Sequence, residues 1–339
     1  MEQSEYVGGD LGFGNGKVRD KRGGTAFASH IARPGTDYRV DDSKMDGETS
    51  LIEFENKRYV VGKDAPISGQ LLPGLDTERI LGSNEIRAAT YATWGAHMRQ
   101  FGKWRQPITI YAGVPASLMI GKDKDSNVAR IREWMGSEHK WMQDGEKYTV
   151  KVEDVIVRSQ AAGAISDMAY TLEGKQTRDA QYIESGFGVI SVGYNTVETS
   201  GGIGGKPIAD MISSHRYGVS SLLNNYDRNG KYEIPVLDWK LRRDQLNGHL
   251  SDVIDDWAET IVSHVAGKWE KNINLIDRII LVGGGAKYAE GALRKRFGDK
   301  IWTPDDPIIS IARGLLKRAM YDANVAGLLK RMERNVKTK

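Results

Sequence analysis

The sequence predicts an α/β protein with two halves, and three observations support this class. The chain has 339 residues, which is long for a single core and suggests about two domains. Strand and helix patterns are mixed throughout, as in α/β or α+β proteins. Two stretches, YVGGDLGFGNGKV near the N-terminus and FGVISVGYNTVET far downstream, read as copies of one Gly-rich hairpin. One such hairpin in each half fits this division.

The composition excludes several classes of protein and site. Cysteine is absent, which rules out disulfides, thiolate metal sites and cysteine nucleophiles. The histidines are scattered and no G-x-S-x-G motif is present, so neither a structural metal site nor a serine hydrolase is supported. A net charge of +3 is too small to imply binding to nucleic acid. No apolar run approaches the roughly 20 residues of a membrane span, and the start MEQSEYVGGD does not resemble a secretory signal, so we expect a cytoplasmic protein.

Elements of the first half follow from turn signals and from the spacing of apolar residues. Alternation predicts strands, a period of about 3.6 predicts helices, and clusters of Gly, Pro or Asn separate them. The polar segment at 34–50 reads as an exposed excursion. The other elements, in order, are a hairpin at 6–19, a hairpin turning at 55–57, a helix at 84–101 with Asn84 as its N-cap, a buried strand at 107–115, a charged helix near 126–136 and a strand at 150–157.

The second half begins with small residues after Gln160, where 161–164 predict a tightly packed helix. The second hairpin copy occupies 187–200, and a strand, a Gly loop and a helix follow at 277–297. Another helix begins within 304–320. The clearest amphipathic helix, at 249–269, is expected to cover a core with one apolar face: Leu250, Val253, Ile254, Trp257, Ile261 and Val265.

Three Gly-rich loops follow apolar strands and are candidates for anion binding. Glycine allows tight turns and lets backbone N–H groups approach an anion closely. Lys17 ends the first loop, where its ammonium can reach phosphate oxygens, and Asp10 ends the strand before it, where a carboxylate can hold a water of hydrated magnesium. Each loop alone is more often a simple turn, and neither a Walker A nor a Rossmann context is present. The loops are Gly12-Phe13-Gly14-Asn15-Gly16, Gly193-Tyr194-Asn195 and Gly283-Gly284-Gly285.

The order of these motifs resembles the actin, sugar-kinase and chaperone ATPase superfamily. Within it, the chain is most similar to bacterial and archaeal actin-like proteins of the ParM type and their archaeal relatives. GGDLGFGNGKV resembles the first phosphate motif, VRSQAAGAI the first connector, VISVGYNTVE the second phosphate motif, ILVGGGAKY the adenosine motif and PIISIARGLLK the second connector. These motifs run in the family's order from residue 8 to about 318. The resemblance implies an actin-like ATPase fold, with two similar α/β domains around a central nucleotide cleft.

The resemblance also implies a role for each site residue, with ATP or ADP and Mg²⁺ as cofactors. Asp10 would face the magnesium ion through water, and Gln160 would orient the attacking water, since an amide positions but is no base. The remaining roles are phosphate binding by Gly12, Phe13, Gly14, Asn15 and Lys17, closure over the phosphates by Gly193, Tyr194, Asn195 and Thr196, and backbone contact with the adenosine by Gly283, Gly284 and Gly285.

Ser191 departs from the family, which usually has an aspartate at this position to help order magnesium and the attacking water. A hydroxyl still hydrogen-bonds to a metal-bound water but brings no charge. Glu198, seven residues later, is the nearest acid. Slow hydrolysis, rescue by another acid, and nucleotide binding with little turnover are all open; we expect a slow ATPase in which Ser191 keeps a catalytic role.

The leading hypothesis for function is a filament-forming ATPase of the cytoskeleton or of plasmid segregation, in which ATP favours assembly and hydrolysis favours disassembly. Its partners would be further copies of itself, head to tail, and a DNA-bound adaptor protein is left open; no direct nucleic-acid contact and no transmembrane segment are expected. The first alternative is a non-polymerising kinase or ATPase of the same superfamily, although Gln160 occupies the place where sugar kinases carry an Asp base. The second is a membrane-tethered scaffold, because the helical tail from residue 314 ends strongly basic. A chaperone is disfavoured because no substrate-binding domain fits after the second connector.

Domain limits also follow from the resemblance. The chain would cross between its halves after Gln160 and again near 304–307, where it can hinge. The predicted limits are 1–160 plus 305–339 for domain I, with a variable subdomain at 32–69, and 161–304 for domain II, with a variable subdomain at 213–274.

Overall fold

Two β-sheets organise the chain, and helices cover them. The computed structural model describes residues 5–35 and 47–337. Most of the predicted polar excursion, at 36–46, therefore lies outside the described residues. The class is confirmed as a mixture of sheets and helices in two sheet domains.

The first sheet contains ten strands within the described residues, in the order β3-β2-β1-β8-β10-β9-β5-β6-β4-β7. Its centre is parallel, since β8 pairs in parallel with both β1 and β10, whereas β2 returns antiparallel to β1 as the predicted hairpin requires. The strands are β1 (Glu5–Leu11), β2 (Asn15–Arg19), β3 (Gly24–Ala28), β4 (Ile31–Arg33), β5 (Thr49–Phe54), β6 (Lys57–Gly62), β7 (Gln70–Leu71), β8 (Ile108–Val114), β9 (Glu138–Gln143) and β10 (Glu146–Ser159).

Strand β10 is longer than predicted and pairs with both a central strand and an outer strand of this sheet. Its first part pairs antiparallel with β9, and its second part pairs in parallel with β8. The register with β8 shifts between Val152 and Asp154, where a bulge lets the strand bend. The outer strands and the central strands are thus joined by one unbroken segment of backbone.

The second sheet lies within residues 187–302 and repeats the central hairpin arrangement. Its order is β13-β12-β11-β15-β16, and β14 pairs with β12. Strand β12 returns antiparallel to β11, and β15 pairs with β11 in parallel, as β8 does with β1. The strands are β11 (Phe187–Val192), β12 (Val197–Ile203), β13 (Lys206–Pro207), β14 (Ser213–His215), β15 (Arg278–Val282) and β16 (Ile301–Trp302).

The helices confirm the predicted order, with one correction at an N-terminus. The N-cap of the first helix is Ser83, whose side chain accepts a hydrogen bond from the Ile86 N–H, and Asn84 is already inside the helix. The prediction of Asn84 was wrong because both residues are good caps and Ser83 has the extended backbone that a cap requires. The helices are α1 (Asn84–Phe101), α2 (Lys124–Met135), α3 (Gln160–Ala169), α4 (Gln181–Ser185), α5 (Val219–Tyr226), α6 (Ile234–Leu241), α7 (Leu250–Trp269), α8 (Ala286–Phe297) and α9 (Ser310–Lys337).

Separate apolar cores form on the two sheets. Helix α1 packs Tyr91 and Trp94 on the first sheet, and α7 buries Trp257 and Trp269 beside the second. The predicted apolar face of α7 is confirmed, although its Leu250 and Ile254 are only half-buried. Burial of apolar side chains therefore stabilises each sheet with its own helices.

Helices α3 and α9 cross closely between the two sheets, at a pair of glycines. A Cβ on Gly314 would lie 1.8 Å from the Gly163 carbonyl oxygen, so the two backbones are in direct contact. Next to this crossing, the buried Asp167 carboxylate accepts hydrogen bonds from the Arg313 guanidinium at 2.7 Å and from the Ser310 hydroxyl at 2.7 Å. The predicted domain and subdomain limits around this crossing stay a prediction.

The outer part of α9 exposes three apolar side chains: Val325, Leu328 and Leu329. The basic end of the tail lies outside the residues whose side chains are described. Within the described part of the chain, no helix combines the length and the apolar character that a membrane span requires.

Candidate functional site

A cleft of about 170 Å³ lies between the two sheets, where the hairpins β1/β2 and β11/β12 meet. All the predicted site residues except Asn195 line this cleft. The Asn195 side chain points elsewhere and donates to the Leu75 carbonyl oxygen at 3.0 Å. The lining residues predicted from sequence are Asp10, Gly12, Phe13, Gly14, Asn15, Lys17, Gln160, Ser191, Gly193, Tyr194, Thr196, Gly283, Gly284 and Gly285.

The first hairpin places a carboxylate and an ammonium opposite each other. Asp10 and Lys17 are direct partners across β1 and β2, and the Lys17 Nζ lies 2.8 Å from the Asp10 Oδ2. A Cβ on Gly12 would lie 2.4 Å from the Asn15 carbonyl oxygen, so the turn requires glycine there. Asp10 is only 1% exposed. Its buried charge is compensated within the hairpin, because the Lys17 ammonium contacts it.

Gln160 reaches the same carboxylate from a different strand. It follows β10 and begins α3, whose N-cap is the Ser159 side chain. Because β8 lies between β1 and β10, the ends of these parallel strands meet at one edge of the sheet. The Gln160 Nε2 donates to the Asp10 Oδ1 at 2.7 Å. The structure thus joins residues that are 150 positions apart in the sequence.

The second hairpin faces the first across the cleft. Its turn is tight, since the Gly193 N–H donates to the Thr196 carbonyl oxygen at 2.8 Å. A Cβ on Gly14 would lie 2.5 Å from the Tyr194 Cβ, so the two hairpin tips touch. The Tyr194 hydroxyl is buried without a hydrogen-bond partner among the described residues, and burial raises the pKa of that phenol.

Glu198 is the acid nearest to Ser191, which it opposes directly on β12. Its carboxyl is buried and accepts a hydrogen bond from the Ala116 N–H at 3.3 Å. Burial, together with the negative charge of Asp10, raises the pKa of Glu198 to about 7 against the opposing effect of that hydrogen bond. Ser191 itself carries no charge, but Glu198, its partner across the two strands, carries a negative charge above neutral pH.

The third Gly loop packs against the second hairpin. Gly283 has a φ of +100°, and a Cβ there would lie 2.4 Å from the Val192 carbonyl oxygen. The same carbonyl accepts a hydrogen bond from the Gly285 N–H at 2.9 Å. Gly284 has open space above it, so the loop presents bare backbone to the cleft.

Residues 8–163 match the family described as actin like proteins N terminal domain, and this range includes the first hairpin and Gln160. Within this range the chain is similar to the N-terminal domain of actin-like proteins. The actin-like fold of the whole chain is shown by its similarity to solved structures.

Three solved structures illustrate this similarity. The apo psk41 ParM protein is 19% identical, covers 97% of this chain and 98% of its own, and has a TM-score of 0.68. The archaeal actin homolog Ta0583, in complex with ADP, is 18% identical over 94% of this chain and 99% of its own, with a TM-score of 0.68. A 15-stranded ParM filament from Clostridium botulinum is 19% identical over 93% and 98%, again with a TM-score of 0.68. No curated protein matches the sequence.

Several residues of the cleft in this actin-like chain were not predicted from the sequence. Asp238 and Arg242 form an ion pair four positions apart, a spacing so common on helix surfaces that it carries no signal for a site. Lys287 and Tyr288 follow the third Gly loop after Ala286, so the loop itself was the available signal. The apolar lining residues are Val219, Leu241, Ile308 and Ile311, and none of them was named as a site residue.

The Asp10 carboxylate fits a magnesium ion that is held together with a phosphate. Among the described residues, no three His, Cys, Asp or Glu side chains are grouped to hold a metal by themselves. Asp10 lines the cleft next to the first Gly loop, which would hold the phosphates. Since Mg²⁺ usually keeps several waters and binds one or two carboxylates plus substrate phosphates, this actin-like cleft has suitable ligands.

Proposed function

We propose that this actin-like chain is a nucleotide-dependent, filament-forming ATPase of the prokaryotic cytoskeleton or of plasmid segregation. The observation that carries the proposal is the meeting of two Gly-rich hairpins, one from each sheet, around Asp10, Lys17 and Gln160. Two neighbours with the same fold are a ParM protein and a ParM filament, which supports assembly as the function.

ATP and ADP are the proposed ligands, with Mg²⁺. Backbone N–H groups of the two hairpins would hold the phosphates, and the bare backbone at Gly284 would lie against the adenosine. The archaeal actin homolog with this fold was solved in complex with ADP, which supports a nucleotide as the ligand. When bound, the magnesium ion supplies positive charge that stabilises the transferring phosphoryl group.

Hydrolysis would depend on positioning more than on covalent chemistry. Gln160 would turn its amide toward the attacking water, and its contact with Asp10 fixes the side chain in that direction. Lys17 would neutralise phosphate charge, and the touching tips at Gly14 and Tyr194 would exclude bulk water. Glu198 would accept the proton of the attacking water when it is ionised, in place of the missing acid at Ser191.

The pH dependence of hydrolysis tests the role of Glu198. Because its pKa is raised to about 7, the carboxyl is neutral and protonated below that pH and ionised above it. We expect the kcat of the wild type to rise between pH 6 and pH 8, and Glu198→Gln to be slow and flat over this range. Phosphate release measured across the pH range checks this, with the exposed Glu133→Gln as a control. A wild-type profile that stays flat would remove Glu198 from the reaction.

Ser191→Asp is expected to accelerate hydrolysis, on the order of tenfold, because it restores a carboxylate beside the metal-binding part of the cleft. The variant should also need less magnesium for half-maximal activity. Titration of Mg²⁺ in a phosphate-release assay measures both effects, and Ser191→Asn is a control of matched size without charge. A correctly folded Ser191→Asp with unchanged kcat would show that Glu198 alone is sufficient.

Light scattering with Mg²⁺ and ATP, run beside ADP, tests the proposed function. A rise with ATP followed by decay is expected for a filament that hydrolyses its nucleotide. A rise that persists would show assembly without effective turnover. Nucleotide binding without any rise would instead favour a non-polymerising ATPase of the same fold. If filaments form, their contacts join unlike faces head to tail, and a DNA-bound adaptor protein would be sought as the second partner.

A further inference from the structure

Helix α6 belongs to the second half of the chain but is bound to the first half across the cleft. The Trp239 Nε1 donates to the Asp64 Oδ1 at 2.8 Å, and the Arg243 Nη2 donates to the same oxygen at 2.6 Å. Asp64 precedes the short helical turn Ala65–Ile67, on the outer part of the first sheet. These contacts hold α6 over the cleft, against the first half of the chain.

A second set of contacts lies on the inner side of α6. The His30 Nε2 lies 2.6 Å from the Asp238 Oδ2, and both side chains are almost fully buried, at 6% and 4% exposed. The Arg242 Nε donates to the same Asp238 oxygen at 2.6 Å. Burial opposes the ionised form of Asp238, but the contacts with His30 and Arg242 prevail and hold its pKa below the ordinary value. The carboxylate therefore fixes the guanidinium from one side.

The free end of the Arg242 guanidinium points at the first hairpin. Its Nη1 donates to the Asn15 Oδ1 at 3.0 Å, and its Nη2 approaches the Gly14 carbonyl oxygen at 3.5 Å. Both acceptors are neutral. A phosphate oxygen is a stronger acceptor for a guanidinium than an amide or a carbonyl, and its geometry matches the fork of two N–H groups.

The other cations of the cleft are arranged differently. Lys17 is paired with Asp10 at 2.8 Å, as Arg242 is with Asp238, but it lies within the first hairpin and does not reach across the cleft. The Lys287 Nζ lies 4.5 Å from the centre of the Tyr288 ring, at the start of α8. Among the lining residues that the structure describes, Arg242 is the one arginine, and it faces the hairpin that would bind phosphate.

We propose that Arg242 is a phosphate-binding residue that the second half contributes across the cleft, and that Asp238 and His30 position it. On nucleotide binding, its two Nη groups exchange Asn15 and Gly14 for phosphate oxygens, while its Nε stays on Asp238. The same side chain then contacts the first hairpin in the absence of nucleotide and the phosphate in its presence. This inference deepens the proposed function and rests on it.

The affinities for ATP and for adenosine, measured by titration calorimetry with Mg²⁺, test this role. Arg242→Ala is expected to weaken ATP binding by about 10- to 100-fold, the usual effect of losing hydrogen bonds to a charged group. Adenosine has no phosphate, so its affinity should change by less than about twofold. Arg242→Lys should recover part of the ATP affinity, because a point charge replaces the fork.

Two further variants separate a specific role from a structural one. Asp238→Asn should weaken ATP binding less than Arg242→Ala does and leave adenosine binding unchanged, since it loosens the guanidinium without removing it. Lys240→Ala is the matched control: it removes a cation from the same helix, where Lys240 lies over the Tyr232 ring outside the cleft lining. It should bind both ligands like the wild type.

Three results would overturn the inference. If Arg242→Ala binds ATP like the wild type, Arg242 does not contact phosphate. If it loses ATP and adenosine equally, its role is structural. If the wild type binds neither ligand, the proposed function fails together with the inference, and this result is distinguishable because it does not depend on any variant.

Discussion

Asp10→Asn should abolish most nucleotide hydrolysis, with kcat lowered by about 100-fold or more. The carboxylate of Asp10 contacts Lys17 on one oxygen and Gln160 on the other, at 2.8 and 2.7 Å. An asparagine has nearly the same size but no charge, so the magnesium ion loses its carboxylate and Lys17 loses its counter-ion. The orientation of Gln160 is disturbed at the same time. Phosphate release at saturating ATP measures the effect.

The matched control for this variant is Asp125→Asn, an exposed carboxylate on α2 that should leave kcat unchanged. Circular dichroism of Asp10→Asn should show the wild-type helix content, because the polar contacts of the hairpin keep a neutral partner. Hydrolysis by Asp10→Asn within threefold of the wild-type rate would move the catalytic centre away from this hairpin.

Gly314→Ala should lower the free energy of unfolding by about 3 kcal/mol or more. The new methyl group would lie 1.8 Å from the Gly163 carbonyl oxygen and 2.6 Å from the Asp167 amide nitrogen. Both are backbone atoms, so no side-chain rotation relieves the collision and α3 must move away from α9. Separation of the helices also pulls Asp167 from Arg313, which leaves a buried carboxylate poorly compensated. Urea unfolding followed by circular dichroism measures the change.

Gly327→Ala is the control in the same helix, since nothing lies within 4 Å of a Cβ at that position. This variant should stabilise the chain by up to about 1 kcal/mol, because alanine favours a helix over glycine. Equal effects of the two substitutions would contradict the close crossing of α3 and α9.

The sequence contains strong local signals for the part of the site that lies on turns. Gly12 and Gly283 occupy positions where a Cβ would collide with a carbonyl oxygen, so the need for glycine is a property of the local backbone. Gln160 was predicted only through the order of the motifs, because its contact with Asp10 spans 150 residues. The contribution of Arg242 was missed because nothing local shows which face of α6 crosses the cleft.

The predicted N-cap of α1 and the predicted start of β10 were wrong for similar reasons. Asn84 and Ser83 are both good N-caps, and the choice between them depends on the backbone that enters α1. The beginning of β10 was missed because Glu146 and Lys147 are exposed and polar, as in a loop, and only pairing with β9 makes them a strand. In both cases, tertiary context decided between local alternatives of similar free energy.

The continuity of β10 has a mechanical consequence. One covalent backbone runs from the outer hairpin with β9, through the bulge near Val152, to Gln160 at the cleft. A tensile load on the outer hairpin is therefore transmitted along an extended strand, which has little slack, to the side chain that contacts Asp10. If the chain assembles and hydrolyses nucleotide as proposed, tension along a row of subunits would reach the site of hydrolysis through this strand and change its rate.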